Sequence, residues 1–99
     1  MPGSYRLRVP ESVDDLIRGL HPGLGRKVRA GLDGIREDRS VGKELRDDLA
    51  GLRSYRVGRF RIIYRVTARR LIELVAVGPR RTIYEETFRL LRRERGAGR

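Results

Sequence analysis

The second half of the chain carries arginines and a tyrosine at spacings that suit chemistry on a phosphodiester. The planar fork of a guanidinium holds two phosphate oxygens at once and stabilises negative charge that builds on them. A tyrosine hydroxyl beside such cations is a candidate for proton transfer. These groups suit RNA cleavage without a metal ion, in which the 2′-hydroxyl attacks the adjacent phosphorus. The strand pairing that we predict below would bring together Arg56, Arg61, Tyr84 and either Arg80 or Arg81.

The stretch GRFRIIYRV, residues 58–66, predicts the strand that presents Arg61, because its residues alternate at the period of a half-buried strand. The core face is expected to carry Phe60, Ile62, Tyr64 and Val66. The opposite, open face then carries Arg59, Arg61, Ile63 and Arg65. Three like charges along one face repel each other and add nothing to stability. We therefore interpret them as binding groups.

A hairpin turn at Gly58-Arg59 would set Arg56 directly opposite Arg61. Same-face residues of a strand lie about 6.6 Å apart, which is of the order of the spacing between successive phosphates. The following strand runs back antiparallel, so residues 78–81 are expected beside the start of the Arg61 strand. This pairing collects the cations at one end of the sheet.

The remaining pattern predicts a single α+β domain over residues 1–95, with residues 96–99 as a flexible tail. Its order is β-α-α-β-β-β-α, with a mostly antiparallel sheet, two N-terminal helices packed on one face and a short C-terminal helix. Val41–Leu52 is expected to form a short helix or an ordered loop. The predicted elements are strand Tyr5–Val9, helix Glu11–Gly19, a helix from Leu24 through Ile35, strands Arg53–Val57, Arg59–Val66 and Arg70–Val77, and helix Glu85–Arg95.

Positive charge is concentrated in the second half of the chain. The net charge is +11, and residues 53–99 hold fourteen arginines against four glutamates, whereas residues 1–52 are nearly balanced. Codon bias explains a preference for arginine over lysine, but it does not explain this asymmetry. A basic half of this kind indicates a polyanionic partner such as nucleic acid.

Other classes of function find little support in the sequence. No apolar run is long enough to cross a bilayer, and residues 1–15 contain no apolar stretch of signal-peptide type, so we expect a cytoplasmic protein without membrane contact. The absence of cysteine excludes disulfides and fits a reducing compartment. Paired carboxylates, metal-ligand spacing and a phosphate-binding glycine loop are also missing, so we expect no cofactor and no metal.

The segments LRSYRVGRFRIIYRV and IELVAVGPRRTIYEE together resemble the RelE/ParE toxin superfamily of toxin–antitoxin systems. GKELRDDLAGL fits the lead-in of the same family, and the match covers about residues 40–85. Resemblance to the RelE branch implies a ribosome-dependent endoribonuclease that cleaves mRNA and so inhibits translation. It also implies contact with ribosomal RNA and a small acidic antitoxin as partner.

The resemblance also implies roles for individual residues. Arg61 matches a phosphate-binding arginine, Arg80 the arginine that stabilises the charged intermediate, and Tyr84 a tyrosine for proton transfer or base stacking. Arg56 takes the place of a basic residue that is usually lysine. Further RNA-binding residues are expected at Arg53, Arg59, Arg65 and Arg81.

Two alternatives stay open at this point. Ser54 stands where active RelE toxins tend to have a lysine, which leaves the general base unassigned and allows an inactive RelE-fold binding protein. The ParE branch inhibits DNA gyrase without nuclease activity. Tyr84 could also serve only as the first core residue of the last helix.

Overall fold

The computed structural model describes residues 5–97 and contains three helices and five strands. A 3₁₀ turn at Asp47–Leu49 follows the second strand. The elements are β1 (Arg6–Arg8), α1 (Glu11–Arg18), α2 (Pro22–Glu37), β2 (Lys43–Glu44), β3 (Arg53–Val57), β4 (Phe60–Val66), β5 (Leu71–Pro79) and α3 (Ile83–Ala97).

The strands form one sheet in the order β1-β5-β4-β3-β2. β1 pairs with β5 in parallel, and the other three pairs are antiparallel. The predicted α+β class and the mostly antiparallel sheet are therefore confirmed. β2 is additional to the prediction, because two charged residues give no periodic signal.

The sheet carries helices on both faces. α1 and α2 cover one face with an apolar cluster that includes Ile17, Val28 and Ile35. α3 covers part of the other face, where a smaller cluster contains Leu52, Ile63, Val75 and Ile83. The alternation alone predicted that the arginine-bearing face of β4 is open, but α3 covers part of it. We call this face the α3 face.

Strand β4 is buried from both sides at its centre. Ile62 and Tyr64 are fully buried toward α1 and α2, as predicted, and Ile63 is fully buried toward α3. The register with β5 shifts between Ile63 and Tyr64, so that Val75 has no direct partner. Val75 and its neighbour Ala76 consequently both pack beneath α3.

Helix α2 packs closely against the hairpin of β3 and β4. A Cβ atom at Gly31 would lie 2.9 Å from Cγ2 of Val57 and 3.2 Å from Cδ1 of Ile62, so glycine permits this approach. His21 caps the helix by accepting a hydrogen bond from the Gly23 N–H at 3.2 Å. This packing fixes the hairpin that presents the candidate residues.

Most predicted boundaries differ from the structure by only one or two residues, and β3 agrees with its predicted range. α3 begins at Ile83, so Tyr84 lies inside its first turn. The helix continues to Ala97, and residues 98–99 of the predicted tail lie outside the described residues. Within residues 5–97 no helix is long and apolar enough to span a membrane.

Candidate functional site

The β3–β4 hairpin sets two arginines against each other. Gly58 adopts a φ of 59°, which glycine tolerates without strain, and Val57 pairs with Phe60 across the turn. Arg56 then lies directly opposite Arg61, as the predicted register requires. Directly opposite residues project from the same face, so both guanidinium groups belong to the α3 face.

Strand β5 brings a third basic segment to this end of the sheet. Arg61 pairs with Gly78, and the N–H of Arg80 donates to the carbonyl of Arg59 at 2.8 Å. Gly78 leaves room for the start of α3, since a Cβ there would lie 3.0 Å from Cδ1 of Ile83. The predicted return of this segment beside β4 is confirmed. The backbone pairing thus places five arginines at this end of the sheet, and we call them the arginine cluster: Arg56, Arg59, Arg61, Arg80 and Arg81.

Arg61 is the most enclosed member of the arginine cluster. Its side chain is half-buried, and its Nε atom is buried without a hydrogen-bond partner within residues 5–97. Arg56 is exposed and donates only to the nearby Gly58 carbonyl, at 3.3 Å. Among the described residues no ion pair involves Arg56, Arg61 or Arg80. The cluster therefore retains its positive charge and a free buried donor, which suits an incoming anion.

Tyr84 of α3 contacts the sheet by a hydrogen bond to Ser54 of β3. The Tyr84 hydroxyl lies 2.9 Å from Ser54 Oγ, and Ser54 is 3% exposed. The ring is half-buried and packs against the apolar cluster under α3, so Tyr84 is also partly a core residue. Ser54 precedes Arg56 by two residues, a same-face step of about 7 Å. The hydroxyl is consequently held one step along β3 from the arginine cluster.

Two of the predicted RNA-binding residues lie away from the arginine cluster. Arg53 projects from the opposite face, where it donates to the Gly42 carbonyl at 2.7 Å. Arg65 is four residues along β4 from Arg61 and pairs with Glu73 at 3.0 Å and with Glu94 at 4.0 Å. Both guanidinium groups are engaged with neighbouring acceptors, so this placement does not support RNA binding by either.

One further cation, Lys43, lies near the candidate site and was not predicted from the sequence. In β2 it pairs directly with Ser54, and its side chain therefore projects from the α3 face beside the Ser54–Tyr84 contact. Lys43 is exposed and makes no ion pair among the described residues. Its position depends on a pairing across ten intervening residues, which periodicity does not reveal.

A buried tyrosine fixes the segment that leads into β2. The Tyr64 hydroxyl donates to the Arg39 carbonyl at 2.7 Å and accepts from the Gly42 N–H at 2.9 Å. Burial raises the pKa of Tyr64 above its ordinary value. Hydrogen bonds from the Ser40 hydroxyl and N–H lower the pKa of Asp38 in the same segment. These contacts hold the backbone that presents Lys43.

The carboxylates of the described part of the chain do not converge into a metal site. Within residues 5–97 no group of three His, Cys, Asp or Glu side chains is placed to hold a metal ion. The groups in and around the arginine cluster are guanidinium groups, one lysine, two hydroxyls and the carboxylate of Glu86, whose Oε1 would lie 3.6 Å from a Cβ at Gly78.

Comparison with known proteins points to one superfamily. A family model for the ParE toxin of type II toxin–antitoxin systems, parDE, matches residues 5–84. A chain of the RelBE2 toxin–antitoxin complex of Mycobacterium tuberculosis is 30% identical, with a TM-score of 0.66 over 77% of this chain and 91% of that chain. No curated protein sequence matches the chain significantly.

Two more distant structures share the fold. A chain of the archaeal RelE–RelB complex from Pyrococcus horikoshii is 24% identical, with a TM-score of 0.62 over 78% of this chain and 96% of that chain. A mutant of the Escherichia coli toxin RelE in the free state is 17% identical, with a TM-score of 0.71 over 90% and 96%. Since the family model spans most of the chain and the fold agrees, the chain belongs to the RelE/ParE toxin superfamily of type II toxin–antitoxin systems.

Proposed function

We propose that this toxin is a ribosome-dependent endoribonuclease that cleaves mRNA and thereby inhibits translation. The observation that carries the proposal is the buried, unpartnered Nε of Arg61, which lies across from Arg56 on the same face. A buried donor without an acceptor costs about 1–3 kcal/mol, and a phosphate oxygen would satisfy it. Guanidinium groups bind such oxygens bidentately.

In the proposed reaction the substrate's own 2′-oxygen attacks the adjacent phosphorus after losing its proton. The bond between phosphorus and the 5′-oxygen then breaks, which leaves a 2′,3′-cyclic phosphate and a 5′-hydroxyl. Arg61 and Arg56 hold the phosphate, and Arg80 stabilises the extra negative charge of the intermediate. Tyr84, oriented by Ser54, takes part in proton transfer at one of the two oxygens, and water exchanges the proton at the other, so that the proton lost by the 2′-hydroxyl is balanced by the proton gained by the 5′-oxygen.

The proposed partner in the resting state is a small acidic antitoxin. Two of the similar structures are toxin–antitoxin complexes, and the basic second half of this chain calls for a neutralising partner. An acidic segment over the arginine cluster would exclude RNA by direct competition.

Cleavage of mRNA on programmed ribosomes tests the proposed function. The wild-type protein is expected to cut mRNA in the ribosomal A site, and the double variant Arg61→Ala/Arg80→Ala is expected to lose this cleavage. The matched control is Arg26→Ala/Arg29→Ala, which removes the same charge from exposed positions of α2. Full cleavage by the Arg61→Ala/Arg80→Ala variant would refute the proposal.

A gyrase inhibitor is the second candidate, because the matching family model describes ParE toxins. Such a protein would block DNA supercoiling by purified gyrase and leave ribosome-bound mRNA intact. The two assays, run on the same preparation, distinguish the candidates. Inhibition of supercoiling without mRNA cleavage would replace the nuclease with this function.

A further inference from the structure

Strand β2 divides its two charges between the faces of the sheet. Lys43 pairs with Ser54 and shares the α3 face with it, whereas Glu44 pairs with Arg53 on the opposite face. Glu44 lies 3.9 Å from the Arg53 guanidinium, so its charge is partly neutralised there. Among the described residues Lys43 forms no ion pair, and it lies beside the Ser54–Tyr84 contact.

The backbone on both sides of Lys43 is anchored. Gly42 is buried and donates to Tyr64, and its carbonyl accepts from Arg53. On the other side, the Leu45 N–H donates to the Leu52 carbonyl at 2.9 Å. An exposed lysine is thus presented from a rigid position, although nothing in the fold requires a cation there.

The position of Lys43 relative to Arg56 matches the spacing of a nucleic-acid strand. Arg56 lies two residues beyond Ser54, so Lys43 and Arg56 are diagonal neighbours about 7–8 Å apart. Successive phosphates of a single strand have a similar separation. Lysine binds phosphate as a point charge and needs no bidentate geometry.

We propose that Lys43 binds the phosphate next to the scissile one, so that the site extends from β4 across β3 to β2. This inference deepens the proposed nuclease function by adding a binding residue for single-stranded RNA. Ser54 of β3 carries no charge. Lys43, its direct partner on the edge strand β2, supplies a positive charge beside it. Lys43 contributes to the affinity for RNA, and the arginine cluster carries the chemical step.

Salt-dependent binding of a short single-stranded RNA to the isolated protein tests this proposal without relying on cleavage. Lys43→Ala is expected to weaken binding several-fold and to reduce the slope of log affinity against log salt by about 0.7, the loss of one phosphate contact. Lys43→Arg is expected to retain the wild-type slope, because it keeps the charge. Lys43→Gln, which keeps most of the stem, is expected to behave like Lys43→Ala.

Lys27→Ala is the matched control, since Lys27 is the only other lysine and lies exposed on α2. It removes the same charge and is expected to leave the slope unchanged. A wild-type slope in both Lys43→Ala and Lys43→Gln, or an equal reduction in Lys27→Ala, would overturn the proposal. Absence of ribosomal mRNA cleavage by the wild type would instead refute the nuclease function, so the two failures are distinguishable.

Discussion

The Tyr84 hydroxyl lies 2.9 Å from Ser54 Oγ, and this contact joins the first turn of α3 to β3. We expect Tyr84→Phe and Ser54→Ala each to destabilise the fold by about 1 kcal/mol, since each removes the same hydrogen bond. The free energy of unfolding of the double variant, measured in urea, should fall by less than the sum of the two single losses, with a coupling energy of about 1 kcal/mol. A coupling near zero would mean that the two hydroxyls do not depend on each other.

The same pair of variants separates packing from chemistry at Tyr84. If the hydroxyl moves a proton, Tyr84→Phe should reduce mRNA cleavage strongly, whereas Ser54→Ala should reduce it less, because Tyr84 keeps its hydroxyl. Equal cleavage by the wild type and Tyr84→Phe would leave Tyr84 with a structural role alone.

The β3–β4 hairpin was predictable because its two-residue turn at Gly58 and Arg59 sets the register on its own. Strand β2 was not, because Lys43 and Glu44 give no pattern and depend on contacts with Tyr64 and Ser54. The alternation and turn residues within each strand were enough to predict the positions of the arginines. The positions of Lys43 and of α3 depend on contacts between residues that are distant in sequence.

The face of the sheet on which α3 packs was also not predictable from the sequence pattern of the helix. Its apolar positions indicate a helix, but they do not select a face of the sheet. Gly78 makes the choice possible, because the missing side chain lets Ile83 approach the end of β5. The bulge at Val75 then widens the apolar surface beneath the helix.

Tyr64→Phe should lower the free energy of unfolding by about 1–3 kcal/mol at pH 8, because the Gly42 N–H and the Arg39 carbonyl lose their partner. Burial raises the Tyr64 pKa in the folded state. The associated stability is fully present below the unfolded pKa of about 10 and is lost as the pH rises through the folded pKa. The advantage of the wild type over Tyr64→Phe should therefore shrink above about pH 10.

Urea unfolding of both proteins between pH 8 and pH 11 measures this difference. The other tyrosines are common to the two proteins, so their titration cancels in the comparison. A difference that stays constant or grows with pH would contradict the assignment.

Two glycines of α2 should respond in opposite directions to the same substitution. Gly34→Ala should stabilise the protein by about 0.5–1 kcal/mol, since alanine favours helix and the new Cβ would meet only the Tyr55 hydroxyl at 4.0 Å. Gly31→Ala should destabilise it, because the Cβ would lie 2.9 Å from Cγ2 of Val57 in the packed helix–hairpin contact. Thermal unfolding of the two variants gives the signs directly. A stabilising Gly31→Ala would show that α2 moves away from the hairpin at little cost.

Arg61→Met should stabilise the fold while it weakens RNA binding. The substitution removes a buried N–H that has no partner and relieves repulsion with Arg56, and it retains an unbranched apolar stem. We expect a gain of about 1 kcal/mol in the free energy of unfolding. Urea unfolding and RNA binding are measured on the same preparation.

Arg65→Met is the matched control on the same strand and the same face. Arg65 is paired with Glu73 at 3.0 Å, so its loss should reduce stability, by no more than about 1 kcal/mol for a partly exposed pair. Opposite signs for the two arginines would mean that Arg61 is kept at the expense of stability, as is expected of a residue retained for binding. A destabilising Arg61→Met would instead mean that the guanidinium supports the fold, and the case for a free phosphate-binding donor would fail.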